Sequence, residues 1–218
     1  MDLNKKTLST QIYQILRDDI LSREIPPGEK LTLKMLQERF QVSSTPIRDA
    51  LTRLNEEGLV EYYSNIGVHV ISLGQHDLEE LYQFMGDLDS LSILYASASP
   101  EQDAIRKELE ENIARTSIVT QKEVLSGDEV RQWIAASDRF HLIFYDYCEN
   151  SRLVGAAERL RSQLTIFSSS YEKDALSQRQ IFLEHQKIWE AYRKGAYSDA
   201  ASLMKEHLDH SLDCAKRC

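Results

Sequence analysis

SSTPIRDALTRLNEEGLVEYY, residues 43–63, predicts a helix that is followed at once by a β-strand. Ser43 is a good N-cap, because its side-chain oxygen can accept from a first-turn amide, and Pro46 is tolerated in a first turn whose amides lack partners within the helix. The apolar face follows the spacing i, i+4, i+7 at Ile47, Leu51 and Leu54. Gly58 is expected to end the helix, and the alternating apolar residues after it predict the strand.

The segments on either side extend this unit. After the strand, Asn65-Ile66-Gly67 predicts a turn back into a second strand over residues 68–71. Upstream, Leu33 to Phe40 predicts a short helix and Gln41-Val42 a tight turn. Two helices followed by a hairpin form a winged helix-turn-helix, whose second helix enters the DNA major groove. On periodicity alone, an ordinary helix pair in a globular core is an equal alternative.

The candidate DNA-binding residues are the hydroxyls and cations around this second helix, because helix N-termini and basic side chains hold phosphate. They are Lys34, Ser43, Ser44, Thr45, Arg48, Arg53 and the wing glycine Gly67. The whole chain has a net charge of -9, but residues 1–73 are near neutral, with 9 basic and 10 acidic side chains. A local basic cluster must therefore face the DNA, with Arg39 as a further member, and affinity should fall with salt.

The composition is that of a globular protein, with 42% hydrophobic and 28% charged residues in 218. No apolar run approaches the roughly 18 residues that cross a bilayer, and the N-terminus lacks a signal-peptide core. We therefore expect a cytoplasmic protein without a membrane partner. The three cysteines, Cys148, Cys214 and Cys218, are too few for a disulfide framework, and the last two are expected to lie in an uninvolved tail.

The rest of the chain predicts only helices. Apolar residues recur at helical spacing from Asp77 to the end, interrupted by short turns, which indicates about six antiparallel helices in a bundle. The predicted fold is mainly α, with a winged domain over residues 1–73, a linker over 74–76 and a helical domain over 77–218.

The order of these pieces resembles a known family. IYQILRDDI, IPPGEKL, LKMLQERFQVSSTPIRDAL, LNEEGLV and Gly67 are similar to the DNA-binding domain of GntR-type bacterial transcription regulators. FHLIFYDYCENSRL (140–153) and HQKIWEAYRKGAYSDAASLMKEHL (185–208) resemble the FCD effector domain of the FadR-like subgroup. The resemblance implies a homodimeric regulator, often a repressor, that binds a double-stranded DNA operator and a small-molecule effector, commonly an organic acid.

Three histidines, His141, His185 and His207, lie on different predicted helices. Their spacing alone predicts surface or hydrogen-bonded residues. Three imidazoles that converged would, however, suit zinc or another divalent transition metal. The resemblance implies such a site, completed by an aspartate four residues before the first histidine. Here that position is Ser137, so Asp138 is the candidate carboxylate ligand.

Other positions depart from the family pattern. Ser44 stands where relatives often carry a DNA-contacting arginine, and the wing lacks the basic residue that often precedes its glycine. Met85 stands where many relatives carry an arginine that pairs with a carboxylate effector. These departures leave an effector-free dimeric DNA-binding protein as one alternative. A metal-dependent hydrolase built on the three histidines is another, although we predict that the protein is not an enzyme.

Overall fold

The computed structural model describes residues 7–63, 67–122 and 125–217. It divides into two compact units, one formed by the chain up to Gly74 with Glu158–Ile166, the other by Gln75–Ala157 with the chain from Phe167. The elements are α1 (Leu8–Leu21), β1 (Lys30–Leu31), α2 (Leu33–Phe40), α3 (Ser44–Glu56), β2 (Val60–Tyr63), β3 (Gly67–Val70), α4 (Gln75–Ala96), α5 (Gln102–Thr120), α6 (Gly127–Asp146), α7 (Ser151–Tyr171), α8 (Ala175–Arg193) and α9 (Tyr197–Ala215). The prediction of a mainly α fold is confirmed.

The first unit is the predicted winged helix-turn-helix. Helices α1 and α2 both pack against α3, and the strands form an antiparallel sheet in the order β1-β3-β2. Strand β1 was not predicted, because two residues that pair with a distant strand leave no local pattern. Asn65 and Ile66 lie outside the described residues, so the turn predicted there stays a prediction.

Helix α3 begins and ends where the sequence predicts, but one detail is corrected. Ser43 is the N-cap in extended backbone, yet its side chain makes no capping hydrogen bond. The usual donor is the third helical residue, which here is Pro46 and has no N–H. At the other end Gly58 takes a φ of 79° and its N–H donates to the Asn55 carbonyl at 3.0 Å, so the helix ends there as predicted.

The carboxylate of Glu57, at the C-terminal end of α3, holds this helix against α1. Tyr13 donates its hydroxyl to Glu57 at 2.6 Å, and Arg17 donates Nε at 2.7 Å. Burial, together with the hydrogen bond and charge of Glu57, raises the pKa of Tyr13. The side chains of α3 that face the unit's core, Ile47, Ala50, Leu51 and Leu54, are almost fully buried.

In its described residues the second unit is a helical bundle, as the spacing of apolar residues predicts, and it contains α4, α5, α6, α8, α9 and the two ends of α7. Helix α4 packs against α9 and α6, α5 against α6 and α8, and α8 against α9. Large aromatic side chains fill its core, among them Tyr82, Trp133, Phe140, Phe144 and Tyr192. Nowhere in the described ranges is a helix both long and apolar enough to cross a membrane.

Candidate functional site

Three imidazoles converge in the interior of the helical unit. His141 comes from α6, His185 from α8 and His207 from α9, and one ring nitrogen of each lies within 4.8 Å of the others. Nε2 of His185 and Nε2 of His207 lie 3.3 Å apart. All three side chains are buried. The structure thus brings together three residues that the sequence places on separate helices.

A buried carboxylate orients the first of these rings. Asp89 on α4 is fully buried, and its Oδ2 lies 2.8 Å from Nδ1 of His141. Tyr145 donates its hydroxyl to the other oxygen at 2.7 Å. An ionised carboxylate only accepts, so Nδ1 of His141 carries the proton and Nε2 keeps its lone pair. Histidines that bind a metal commonly donate their other ring N–H to a carboxylate in this way.

A second carboxylate orients His207. Oε2 of Glu184 lies 2.7 Å from Nδ1 of His207, and its Oε1 lies 3.0 Å from Nδ1 of His210. Burial acts to raise the pKa of Glu184, but the hydrogen bond from His207 and the charges around it hold that pKa below its usual value. The third ring, His185, is held by stacking on Phe140, with centroids 4.2 Å apart and planes at 13°.

The predicted carboxylate ligand, Asp138, follows Ser137 on α6. Among the described residues, the group of close metal-ligating atoms consists of the three histidines, and Asp138 is not in it. Ser137, one full turn before His141, is buried, whereas Asp138 is half-buried. Met85 is fully buried in α4 and offers no cation to an effector.

Sequence reasoning missed the two carboxylates that orient the rings. Asp89 lies 52 residues from the histidine it holds, and Glu184 contacts a ring 23 residues away. No spacing rule connects positions so far apart, and only the packing of α4 on α6 and of α8 on α9 brings them into contact.

The donor set fits a divalent transition metal. Three imidazoles are ligands that zinc and its neighbours prefer. The two carboxylates in hydrogen-bond contact with His141 and His207 supply buried negative charge, which a buried dication requires. His141, His185 and His207 are therefore the residues that would hold the ion.

The candidate DNA-binding residues lie in the other unit. Ser43, Thr45 and Arg48 are exposed at the start of α3, Ser44 there is half-buried, and Lys34 is exposed on α2. Gly67 opens β3 with a φ of 115°, and Cε of Lys30 would lie 3.4 Å from a Cβ built there. The Lys30 side chain thus lies beside Gly67, next to the position where the basic residue that often precedes the wing glycine is missing.

Two members of the predicted basic cluster are engaged within the winged unit. The Arg53 guanidinium lies 3.9 Å above the Tyr13 ring and donates to the Thr10 hydroxyl at 3.3 Å. Arg39 pairs with Asp19 at 2.7 Å. Both cations help to pack α2 and α3 on α1, which leaves Lys34 and Arg48 as the more exposed pair.

Two family models match this chain. The model of bacterial regulatory proteins of the gntR family matches residues 8–70, and the FCD domain model matches residues 80–210. The second match alone covers more than half of the chain.

Two relatives are matched over 90% of their own length. The chain is 27% identical over 210 residues to YdhC of Bacillus subtilis, an HTH-type transcriptional regulator, covering 94% of this chain and 90% of YdhC. It is 23% identical to the transcriptional repressor GlaR of Escherichia coli, covering 90% of each. Among solved structures, Escherichia coli McbR/YncC superposes with a TM-score of 0.77 at 19% identity, covering 98% of this chain and 99% of that one.

Proposed function

The chain belongs to the GntR family of bacterial regulatory proteins and carries an FCD domain, and from this premise we propose how it regulates transcription. It binds a two-fold symmetric DNA operator as a homodimer, in the compartment that holds the chromosome, and acts as a repressor. A divalent metal and a small organic acid, bound in the helical unit, change its affinity for the operator. The family and the named relatives are transcriptional regulators and not enzymes, which argues against the hydrolase.

The proposed DNA interface is the exposed start of α3. Arg48 reads a base edge in the major groove, while Ser43, Ser44 and Thr45 hold phosphate at the helix N-terminus. Lys34 and the wing at Gly67 contact the backbone. A serine at position 44 supplies no bidentate contact, so the operator differs from that of relatives with an arginine there.

One observation supports the regulatory half of the proposal above all others, namely the convergence of three buried imidazoles. The metal supplies a Lewis-acidic cation to which a carboxylate can bind. Ser137 contributes no carboxylate, so three imidazoles leave an ion short of its usual four ligands. Met85 contributes no cation. His141, His185 and His207 would hold the ion, which would supply for the effector's carboxylate the positive charge that an arginine supplies in many relatives.

The proposal is tested by selecting bound sequences from a random duplex library with the purified full-length protein. We expect an enriched near-palindrome whose half-sites lie about 10 base pairs apart or a multiple of that. We then expect zinc together with a hydroxycarboxylate such as citrate or lactate to shift affinity for the selected DNA. Enrichment without any response to metal and acid would establish the effector-free alternative, and no enrichment would contradict DNA recognition.

Replacing Asp89 by asparagine is expected to weaken zinc binding by about 10–100-fold, the usual effect of removing an outer carboxylate. Asparagine keeps the volume and can still hydrogen-bond, but it removes the buried negative charge that faces His141. The affinity is measured by competition with a chromogenic zinc chelator. Asp87→Asn, an exposed position on the same helix, is the matched control, and equal zinc affinity in both variants would contradict the role.

We propose that the homodimer forms through one face of α4. Four large apolar side chains there are 41–51% exposed, namely Phe84, Leu91, Leu94 and Tyr95. Phe84, Leu91 and Tyr95 follow the spacing i, i+7, i+11 and so share one face of the helix. Exposed apolar stripes of this kind mark interaction surfaces, and a second copy of the chain is the partner that a two-fold operator requires.

Substituting Leu91 by aspartate is expected to raise the dissociation constant of the dimer by at least about 100-fold, because burying an unpaired carboxylate costs several kcal/mol. Sedimentation velocity over a concentration series measures the shift. Ile118→Asp on α5 introduces the same charge at another exposed apolar position and should leave the dimer intact. A dimer unchanged by Leu91→Asp would place the interface elsewhere.

A further inference from the structure

A second cluster of reactive side chains lies near the end of α9, outside the three-histidine group. Cys214 and His210 are one helical turn apart, and Sγ of Cys214 lies 4.0 Å from Nε2 of His210. Nδ1 of the same imidazole lies 3.0 Å from Oε1 of Glu184 on α8. A thiol, an imidazole and a carboxylate thus stand in the order of nucleophile, base and orienting group that activated cysteines use.

Glu184 determines which nitrogen of His210 faces the thiol. Its carboxylate accepts from Nδ1, so Nε2 carries the lone pair and points toward the sulfur. The i, i+4 spacing of the cysteine and the histidine keeps both side chains on one face of the helix. The imidazole is therefore positioned to take the thiol proton and leave the nucleophilic thiolate.

The surroundings of the sulfur limit which reagents reach it. Cys214 is half-buried and packs against an apolar cluster of Trp133, Tyr171 and Ile181. The indole N–H of Trp133 in that cluster is almost fully buried and finds no hydrogen-bond partner within the described part of the chain. The apolar wall and the nearby carboxylate disfavour anionic reagents, and the unsatisfied N–H suits a small, uncharged molecule that carries an oxygen acceptor.

We propose that Cys214 is a modification site for small hydroperoxides, with His210 as its base and Glu184 as the residue that positions His210. Nε2 of His210 takes the thiol proton, and the thiolate attacks the distal oxygen of the hydroperoxide. The S–O bond forms as the O–O bond breaks, and His210 returns the proton to the departing alkoxide. The products are an alcohol, or water from hydrogen peroxide, and a sulfenic acid on Cys214, so the sulfur loses the two electrons that the peroxide gains.

Glu184 is shared between this site and the histidine cluster, since its other oxygen contacts His207. A substitution at Glu184 would disturb both sites at once. A substitution at His210 leaves the contact between Glu184 and His207 in place, so His210→Gln is the variant that isolates the thiol.

The test uses the full-length chain with Cys218→Ser, hydrogen peroxide as the oxidant and dimedone to trap sulfenic acid. Peptide mass spectrometry follows Cys214, with the buried Cys148 as an internal reference. We expect Cys214 to react at least about tenfold faster than Cys148, and His210→Gln to slow it by at least about tenfold at pH 7. His76→Gln, at an exposed histidine on α4, should change nothing.

The pH profile distinguishes a base from a merely structural residue. Above the ordinary thiol pKa of about 8.5 the thiol ionises without a neighbouring base. The Cys214 of the His210→Gln variant should therefore react as fast as that of the parent near pH 9.5. A defect that persists equally at every pH would mean that the substitution only altered access to the sulfur. That result, or equal rates at Cys214 and Cys148, would overturn the proposal.

Discussion

The parent chain is expected to purify with about one divalent metal ion per subunit, and the His185→Ala variant without it. The substitution removes one of three imidazoles and the ring that stacks on Phe140. Loss of a direct ligand should lower affinity by more than the roughly 10–100-fold that outer partners contribute. Elemental mass spectrometry of tag-free protein, prepared without chelators, measures the metal content.

Two further variants make the result decisive. His76→Ala removes a histidine that is 81% exposed and lies outside the cluster, so its metal content should equal that of the parent. His185→Gln fills more of the cavity than alanine does and should also lose the ion, which separates ligand loss from misfolding. Metal retained at the parental level in both His185 variants would contradict the three-histidine site. Regulation would then depend on an organic ligand alone, or the bundle would only dimerise.

Substituting Arg48 by alanine is expected to weaken binding to the selected operator by roughly 10–100-fold for each half-site, because a bidentate base contact is worth about 1–3 kcal/mol. A dimer loses one contact in each half-site, and distant contributions usually add. The combined effect is then about 100-fold or more, and discrimination between operator and random duplex should shrink with it. Fluorescence anisotropy at several salt concentrations measures both quantities.

Arg152→Ala is the matched control, since this arginine is exposed on α7 in the part of the chain assigned to the helical unit. It should leave operator affinity and its salt dependence unchanged. If Arg48→Ala lowers the affinity for the operator and for random DNA by the same factor, the arginine contacts phosphate and not a base. Unchanged binding would exclude α3 as the reading helix.

Local sequence rules accounted for most of the winged unit. The bounds of α3, its glycine stop and the hairpin strands follow from residues within a few positions of one another, so short-range propensities describe them well. The same rules missed β1, because the strand it pairs with is distant in the sequence. They also assigned a capping hydrogen bond to Ser43 without allowing for the missing N–H at Pro46, three residues further on.

The histidine cluster shows the same limit more sharply. The sequence provided three histidines on separate helices and the family pattern that suggested their meeting, and it placed the missing carboxylate at Asp138. The structure brings the three rings together and places Asp89 and Glu184 in hydrogen-bond contact with two of them. Ser137 and Asp138 are neighbours on α6 and therefore point in different directions around the helix. The packing of α4 on α6 brings Asp89 to His141.

From the sequence alone came the mainly α class, the order of the helices and of the two hairpin strands, helix α3 with Arg48 on it, and the candidate histidines. These depend on periodicity, turn residues and an ordered motif, which local chemistry determines. Only the tertiary structure decided which carboxylates orient which imidazoles, that Arg53 lies on Tyr13, and that Cys214 faces His210 and Glu184. Such contacts join positions far apart in the chain, and their distances depend on how whole helices pack.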